Sequence, residues 1–241
     1  MAKPNSQLQA LAQLLPETLG QQLEPHARLV TLRPGQIVIG HQDRTTDVFV
    51  VLEGTLRVEL YSLNGREISL ADLSVGDLFG EYAAIDDQTR SATVAATTAS
   101  VLACISSTDF RRVALSTPEN AEWLARRLVG RIRLQNERIF ELNALAVRSR
   151  LHCELLRMSL DVGVHGNEAV IASVPTHAQL AARIGTHREA VTRELQYLQK
   201  RGIVVQQGRE LRVNDVAELA EIIRAAAGDV GVTQRIAIAS D

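Results

Sequence analysis

The chain has 241 residues, of which 46% are hydrophobic and 22% charged, and its formal net charge is −2. This composition is ordinary for a globular protein and excludes wholesale disorder. Because the chain has no overall basic charge, any surface that binds nucleic acid has to be local. The two cysteines, Cys104 and Cys153, are too few for a metal cluster or a disulfide framework, and the apolar run around Cys104 predicts a buried free thiol.

Localisation is predicted from two further features of the sequence. No segment has the roughly 20 uninterrupted apolar residues of a membrane span. The first residues lack the apolar region of a secretory signal. We therefore expect a protein of the bacterial cytosol with no membrane partner, associated with the nucleoid when active.

Short helical patterns in residues 7–23 precede a region whose pattern is typical of β-strands. Short apolar or alternating runs are separated by turn signals, of which Asn64-Gly65 is the strongest hairpin signal. The predicted strands are residues 28–32, 36–39, 48–52, 56–60, 67–73, 91–95 and 100–105. Strands of this length and spacing predict an antiparallel roll of jelly-roll type.

A long helix is predicted over residues 119–146. Apolar residues recur at three- and four-residue steps, which favours pairing with a second helix and hence a homodimer. The members of this seam are Leu128, Ile132, Ile139, Leu142 and Ala146. Gln135 interrupts the seam beside Asn136, either to fix the register of a coiled coil or to contact a polar group lodged there.

The last third of the chain predicts a compact helical module. The expected elements are helices at 147–160, 176–184, 186–200 and 215–227, with hairpins at 163–173 and 203–213. Both central helices open with a capping-box pattern, at Thr176 and at Thr186. Residues 228–241 give no firm signal, and we expect a mobile tail.

The two short helices separated by Gly185 form a helix-turn-helix signature. Between residues 173 and 214 there are seven basic and three acidic side chains. The second helix would present side chains to the major groove, and the following wing would contact phosphate. The candidate DNA-binding residues are Thr176, Thr186, His187, Arg188, Glu189, Thr192, Arg193 and Arg209. The alternative is a helical pair with an ordinary solvated charged face.

A candidate anion cradle interrupts the strand pattern at residues 79–94. Gly80 permits close backbone approach, and a helix that starts near Glu81 offers free N–H groups. Arg90 can fork onto two phosphate oxygens while Ser91 adds a hydroxyl donor, and Glu81 can accept from a ribose hydroxyl. The alternative is a surface turn with an Arg–Glu ion pair.

Together these residues resemble the cyclic-AMP receptor branch of the CRP/FNR superfamily over residues 27–226. Phe79-Gly80-Glu81 with Arg90-Ser91-Ala92-Thr93 is similar to the phosphate-binding cassette of that family, and Arg188-Glu189 with Arg193 to its base-reading triplet. The resemblance implies a cyclic-nucleotide-binding β-roll, a dimerisation helix and a C-terminal winged helix-turn-helix in an α+β chain. The implied ligand contacts are Gly80, Glu81, Tyr82, Ala83, Arg90, Ser91, Ala92, Gln135 and Asn136.

The resemblance also implies partners and domain boundaries. The partners are cyclic AMP, palindromic double-stranded DNA with TGTGA-type half-sites, a second copy of the chain and, for an activator, RNA polymerase. The boundaries are residues 1–118 for the roll, 119–146 for the dimerisation helix, 147–227 for the DNA-binding domain and 228–241 for the tail. In the proposed mechanism, nucleotide binding allosterically positions two recognition helices.

Two departures from the family pattern leave alternatives open. Gln135 and Asn136 stand where cyclic-AMP receptors present small hydroxyl residues, so cyclic GMP or both nucleotides are alternative ligands. Ala146 stands near the predicted interdomain hinge, where many relatives have a helix-capping Asp. This difference leaves open the geometry of the hinge and the strength of coupling between nucleotide and DNA binding. A third hypothesis is a regulator that binds DNA without any ligand and uses the roll only as a scaffold.

Other functions are disfavoured by what the sequence lacks. No cysteine precedes Cys104, which argues against an iron–sulfur sensor, and His26 and His41 are expected to be exposed turn residues rather than haem ligands. We expect no metal. Roughly 90 residues follow the long helix, without a phosphate loop or a nucleophile–base arrangement, so no enzyme is predicted.

Overall fold

The protein is described by a computed structural model that covers residues 7–61 and 67–234. It divides into two compact units, residues 1–129 and 130–241. The chain combines helices with antiparallel sheets, which confirms the predicted α+β class. Among the helices in the described ranges, none combines the length and the hydropathy of a membrane span.

The first unit is built on two four-stranded antiparallel sheets. The strands are β1 Ala27–Leu32, β2 Ile37–Ile39, β3 Val48–Glu53, β4 Leu56–Tyr61, β5 Glu67–Leu73, β6 Leu78–Phe79, β7 Thr93–Ala96 and β8 Ser100–Ile105. One sheet has the order β1-β8-β3-β6 and the other β2-β7-β4-β5. All seven strands predicted from the sequence form, and the two-residue β6 was missed because it is too short to show a period.

The turn predicted at Asn64-Gly65 lies outside the described residues. The strands on either side of it do pair antiparallel, with Leu60 opposite Ile68 and Leu56 opposite Leu73. This pairing is the one that a hairpin between the two alternating runs requires.

Apolar packing between the sheets and against the helices forms the core of the first unit. The helices are α1 Leu11–Leu14, α2 Glu17–Leu23, α3 Glu81–Asp86, α4 Ser107–Ala114 and the start of α5 Pro118–Ala144. The rings of Phe49 and Phe79 stack between the sheets with centroids 5.2 Å apart. Phe110 of α4, a helix that the sequence analysis did not predict, packs with Leu11 and Leu19. Its N-terminus is capped by the Ser106 hydroxyl, which accepts from the N–H of Asp109.

The second unit contains the rest of α5, four further helices and a small sheet. Its elements are α6 Val147–Val162, β9 Ala169–Ile171, α7 His177–Arg183, α8 Arg188–Lys200, β10 Val204–Gln207, β11 Glu210–Val213 and α9 Val216–Ala227. The hairpin expected at residues 163–173 is wrong in one respect. Only a single bridge joins His165 to Glu168, while β9 pairs with β11 and completes a sheet of order β10-β11-β9.

Two helix boundaries differ from the sequence prediction. The long helix runs from Pro118 to Ala144, and Ala146 is the N-cap of α6 without a side-chain cap. The capping box predicted at Thr176 is present, whereas the one predicted at Thr186 is wrong. The N–H of Thr186 donates to the carbonyl oxygen of Ala181 within the turn, so that α8 begins only after His187.

The first seven residues of the predicted tail, 228–234, include side chains that pack into the second unit. Val230, Val232 and Thr233 are buried, and the two valines belong to the same apolar core as α6, α7 and α9. The Thr233 hydroxyl donates to the carbonyl oxygen of Val230 and accepts from its N–H, which closes a local turn. Residues 235–241 lie outside the described residues.

Candidate functional site

The predicted anion cradle lies in the first unit where β6 passes into α3. Gly80 is the N-cap of α3, with φ +86°. A Cβ at this position would lie 2.8 Å from the carbonyl oxygen of Asp47 and 2.9 Å from Nη1 of Arg90. Glycine is therefore required here both by the backbone conformation and by the close approach of its neighbours.

The Arg90 guanidinium donates hydrogen bonds to three acceptors within the protein. Nη1 donates to the carbonyl oxygen of Gly80 at 2.8 Å, Nη2 to that of Asp47 at 2.7 Å, and Nε to the Thr45 hydroxyl at 3.1 Å. The residue is 3% exposed. Burial lowers the pKa of Arg90 from its usual value, although Asp47 and Asp43 oppose this shift. A guanidinium nonetheless remains charged, so that a fixed cation lies beneath the Gly80 turn.

The other predicted ligand residues fall into a buried and an exposed group. Glu81, Ala83 and Ala92 are buried, whereas Tyr82 and Ser91 are exposed. Glu81 and Arg90 lie near enough for the carboxylate to raise the guanidinium pKa. The structure thus brings together a buried cation, a buried carboxylate and an exposed hydroxyl around one turn.

Gln135 and Asn136 lie on the part of α5 that belongs to the second unit, and both are exposed. The predicted seam residues Ile132, Ile139 and Leu142 are 59%, 57% and 46% exposed in the single chain. A helix with this much apolar exposure needs a partner surface to cover it.

The predicted DNA-reading face is formed by α8. Arg188, Glu189 and Arg193 are exposed on one side of the helix, while Val191, Leu195 and Leu198 are buried on the other. Arg209 is exposed after the turn residue Gly208 between β10 and β11, where the wing was expected. His187, exposed just before α8, joins this surface.

Two threonines predicted to contact DNA use their hydroxyls within the protein. The Thr176 hydroxyl accepts from the N–H of Gln179 in the capping box of α7. The Thr192 hydroxyl donates to the carbonyl oxygen of Arg188 at 3.0 Å and also lies 2.8 Å from Nδ1 of His177. The sequence offered His177 as a capping or DNA-contacting residue but did not predict this contact, because it joins residues fifteen positions apart on different helices.

The basic surface is smaller than the sequence count indicates. Arg183 was counted as part of it, but its side chain is buried and pairs with Glu154 at 3.0 Å. Arg201 pairs with Glu218, and Arg212 lies 3.9 Å from Glu168. Of the seven basic residues counted, Arg188, Arg193, Lys200 and Arg209 are exposed and outside these three pairs.

Comparison with protein families supports both candidate sites. Residues 29–117 match the family model of the cyclic nucleotide-binding domain, and residues 149–222 match that of the Crp-like helix-turn-helix domain. The first range contains the cradle around Gly80 and Arg90, and the second contains α7, α8 and the wing.

Several curated proteins are similar over most of their length. The cyclic AMP receptor protein of Thermus thermophilus is 30% identical over 188 residues, which are 78% of this chain and 84% of that protein. The CRP-like cAMP-activated global transcriptional regulator of Mycobacterium tuberculosis is 24% identical over 86% of this chain and 91% of its own.

Solved structures of the same fold include FixK2 from Bradyrhizobium japonicum and a CooA mutant from Carboxydothermus hydrogenoformans. Both have a TM-score of 0.74 and 21% identity. The alignment with FixK2 covers 83% of this chain and 99% of the other, and that with CooA covers 92% and 97%. At this identity the likeness shows the fold alone.

Proposed function

Since this chain belongs to the CRP/FNR family of cyclic-nucleotide-binding, DNA-binding transcription regulators, we propose that cyclic AMP is the ligand that controls its binding to DNA. The members of this family are regulators and not enzymes. Cyclic AMP is favoured by the relatives from Thermus thermophilus and Mycobacterium tuberculosis, whose names state that they respond to it.

The observation that carries the proposal is the buried cation beneath the Gly80 turn. A guanidinium has five N–H donors, of which Arg90 directs three to internal acceptors. The remaining two suit the oxygens of one cyclic phosphate, together with the exposed Ser91 hydroxyl. Glu81 accepts from the ribose 2′-hydroxyl, and the backbone of Gly80, Tyr82, Ala83 and Ala92 lines the contact.

Cyclic GMP is the second candidate ligand, because the side chains predicted to meet the base do not exclude guanine. Gln135 and Asn136 are exposed on α5 and carry amide groups, which both donate and accept hydrogen bonds. Amides complement the carbonyl and amino groups of guanine as readily as the amino group of adenine. Dual recognition is therefore part of the same proposal.

On the DNA side, we assign base reading to Arg188, Glu189 and Arg193. Arg pairs in bidentate fashion with guanine, and Glu accepts from the amino group of cytosine. Arg209 contacts phosphate, and His187 and the backbone around Thr176, Thr186 and Thr192 fix the approach. A homodimer paired through the exposed apolar side of α5 would place its two recognition helices about 34–36 Å apart on a palindrome.

We propose a separate role for each of three segments, of which the first and third contain the ranges that match the family models. Residues 1–118 hold the nucleotide, residues 119–146 dimerise and residues 147–227 bind DNA. Nucleotide binding changes the affinity for the operator by about 5–150-fold, the usual range for coupled sites. An activator would in addition contact RNA polymerase.

Calorimetry tests the ligand, with cyclic AMP and cyclic GMP titrated in parallel into the purified protein. Operator affinity is measured at fixed salt with no nucleotide and with each of the two. We expect one molecule bound per subunit and tighter DNA binding. Equal operator affinity with and without both nucleotides would support a ligand-independent regulator instead.

A further inference from the structure

A buried carboxylate in the second unit binds arginines from three different helices. Glu154 of α6 is 2% exposed. Its Oε1 accepts from Nη1 of Arg183 on α7 at 3.0 Å, and its Oε2 accepts from Nη2 of Arg138 on α5 at 3.4 Å. The same Oε2 accepts from Nη1 of Arg157, one turn along α6, at 2.6 Å.

Arg157 extends this group of charges back to the long helix. Its Nη2 donates to Oε1 of Glu141 on α5 at 2.5 Å, and both residues are buried. These five residues form what we call the Glu154 network: Arg138, Glu141, Glu154, Arg157 and Arg183. The network joins α5, α6 and the first helix of the helix-turn-helix.

Mutual attraction favours the charged forms of Glu154 and Arg157, whereas burial raises the pKa of Glu141. Burial alone would raise the pKa of Glu154, but Arg138, Arg157 and Arg183 lower it to about 2. Burial likewise opposes the charge on Arg157, and Glu154 and Glu141 outweigh it and raise its pKa. Glu154 and Arg157 are therefore both charged at neutral pH.

A network of this kind contributes more to orientation than to stability. Removing charges from water costs about as much as their attraction returns, and apolar residues of the same volume often stabilise a fold equally well. Apolar contacts, however, tolerate sliding and rotation. A carboxylate that must meet three guanidinium groups in fixed directions permits one arrangement of the helices that carry them.

A contact at the turn of the helix-turn-helix supports the same conclusion. Gly185, with φ +65°, lies so close to α5 that a Cβ there would be 3.1 Å from Cδ2 of Leu142. The turn between α7 and α8 thus packs against the end of the long helix, beside the network. Rotation of α7 relative to α5 would break both contacts at once.

We propose that Glu154 is a positioning residue for DNA binding: it fixes the angle between the helix-turn-helix and the second half of α5. In a dimer paired through α5, that angle sets the separation and the phase of the two recognition helices. The inference depends on the dimer of the proposed function. It does not depend on which nucleotide binds.

The test replaces the whole network by apolar residues of similar volume. This variant carries five substitutions: Glu141→Leu, Glu154→Leu, Arg138→Met, Arg157→Met and Arg183→Met. The readout is the affinity for palindromes with the two half-sites at the optimal separation and with one or two base pairs inserted. Thermal melting and the oligomeric state are recorded for each protein.

We expect the apolar variant to melt as a folded dimer and to bind the optimal palindrome, but to lose most of its discrimination against the inserted ones. A variant that discriminates as sharply as the wild type would overturn the proposal. The matched control is Glu221→Gln on α9, which alters an exposed pair with Arg224 and leaves the discrimination unchanged.

A milder variant keeps the test decisive if the apolar replacement does not fold. Arg138→Met removes the longest contact of the network from a side chain that is 18% exposed. It should weaken the spacing discrimination partially, and Arg138→Lys should restore part of it. No change in either would contradict the proposal. If neither nucleotide changes the operator affinity of the wild type, the proposed control by a ligand is refuted. The affinities for palindromes of different half-site separation still test the role of Glu154.

Discussion

Arg90 donates from Nη1 to the carbonyl oxygen of Gly80 over 2.8 Å, so the cation of the cradle also holds the turn that forms it. The same side chain reaches the carbonyl oxygen of Asp47 from Nη2. The guanidinium of Arg90 therefore has two roles: it is proposed to bind the phosphate, and it holds the Gly80 turn in place. Its removal affects both.

Arg90→Ala is expected to abolish binding of cyclic nucleotides and also to destabilise the first unit. Two carbonyl oxygens and one hydroxyl lose their donor, and unsatisfied buried acceptors cost about 1–3 kcal/mol. Calorimetry and denaturant unfolding measure the two effects. Ser91→Ala, at an exposed position, should weaken nucleotide binding with unchanged stability, and full nucleotide binding by Arg90→Ala would refute the assignment.

Gly80→Ala should disrupt the cradle more than Gly35→Ala disrupts its own turn. Both glycines have positive φ, +86° and +81°, so both substitutions introduce about 1–3 kcal/mol of backbone strain. Only at Gly80 would the new Cβ also meet Asp47 and Arg90, since nothing lies within 4 Å at Gly35. Nucleotide affinity should fall for Gly80→Ala alone. Equal losses in the two variants would show that the close approach is unimportant.

Arg193→Ala and Arg209→Ala should affect DNA binding in different ways. Loss of Arg193 is expected to cost about 1–3 kcal/mol on the specific operator and to relax one base position. Loss of Arg209 should weaken binding to all sequences alike and reduce its salt dependence. Titrations at several salt concentrations, on operators with each base changed, separate the two. Identical profiles for both variants would contradict the assignment.

The stability of the second unit should fall as the pH is lowered through about 6.5, because of His152. This side chain is 3% exposed and lies 2.7 Å from Glu194 of the recognition helix. Burial lowers the pKa of His152 from 6.5, although Glu194 opposes the shift and Arg148 and Arg201 add to it.

Because the unfolded chain then binds the proton more readily, acidification favours unfolding, by up to about 1.4 kcal/mol per pH unit. Denaturant unfolding at pH 7.5, 6.5 and 5.5 measures this slope. His152→Gln should flatten it, whereas His165→Gln, at an exposed position, should not. A slope that His152→Gln leaves unchanged would place the titration elsewhere.

Val232→Ala should destabilise the second unit by about 1.5–3 kcal/mol, because two buried methyl groups are lost and a cavity remains. Val232 is 0% exposed within the core that α6 and α9 share. The neighbouring Gln234→Ala changes an exposed side chain and should stay within about 0.5 kcal/mol of the wild type. Thermal unfolding of both variants checks whether residues 228–234 are part of the folded module.

Local patterns were sufficient for most elements of this protein. The alternating runs predicted the strands of both sheets, and the capping box at Thr176 predicted the start of α7. The equivalent pattern at Thr186 failed because the backbone of that residue is used by the turn at Ala181. Residues 229–241 gave no periodic signal in the sequence, and only the structure places Val230 and Val232 in the apolar core of the second unit.

The sequence by itself predicted the order of the domains, the residues of the proposed cradle and the proposed reading face of α8, because periodicity and turn chemistry act over neighbouring residues. Only the tertiary structure decided how charges are used. In the structure Arg90 points inward to Gly80 and Asp47, and Arg183 pairs with Glu154 instead of lying on the predicted DNA-binding surface. Whether an arginine meets solvent or a buried carboxylate depends on helices distant in the chain, and on the free energy of desolvation that their packing sets.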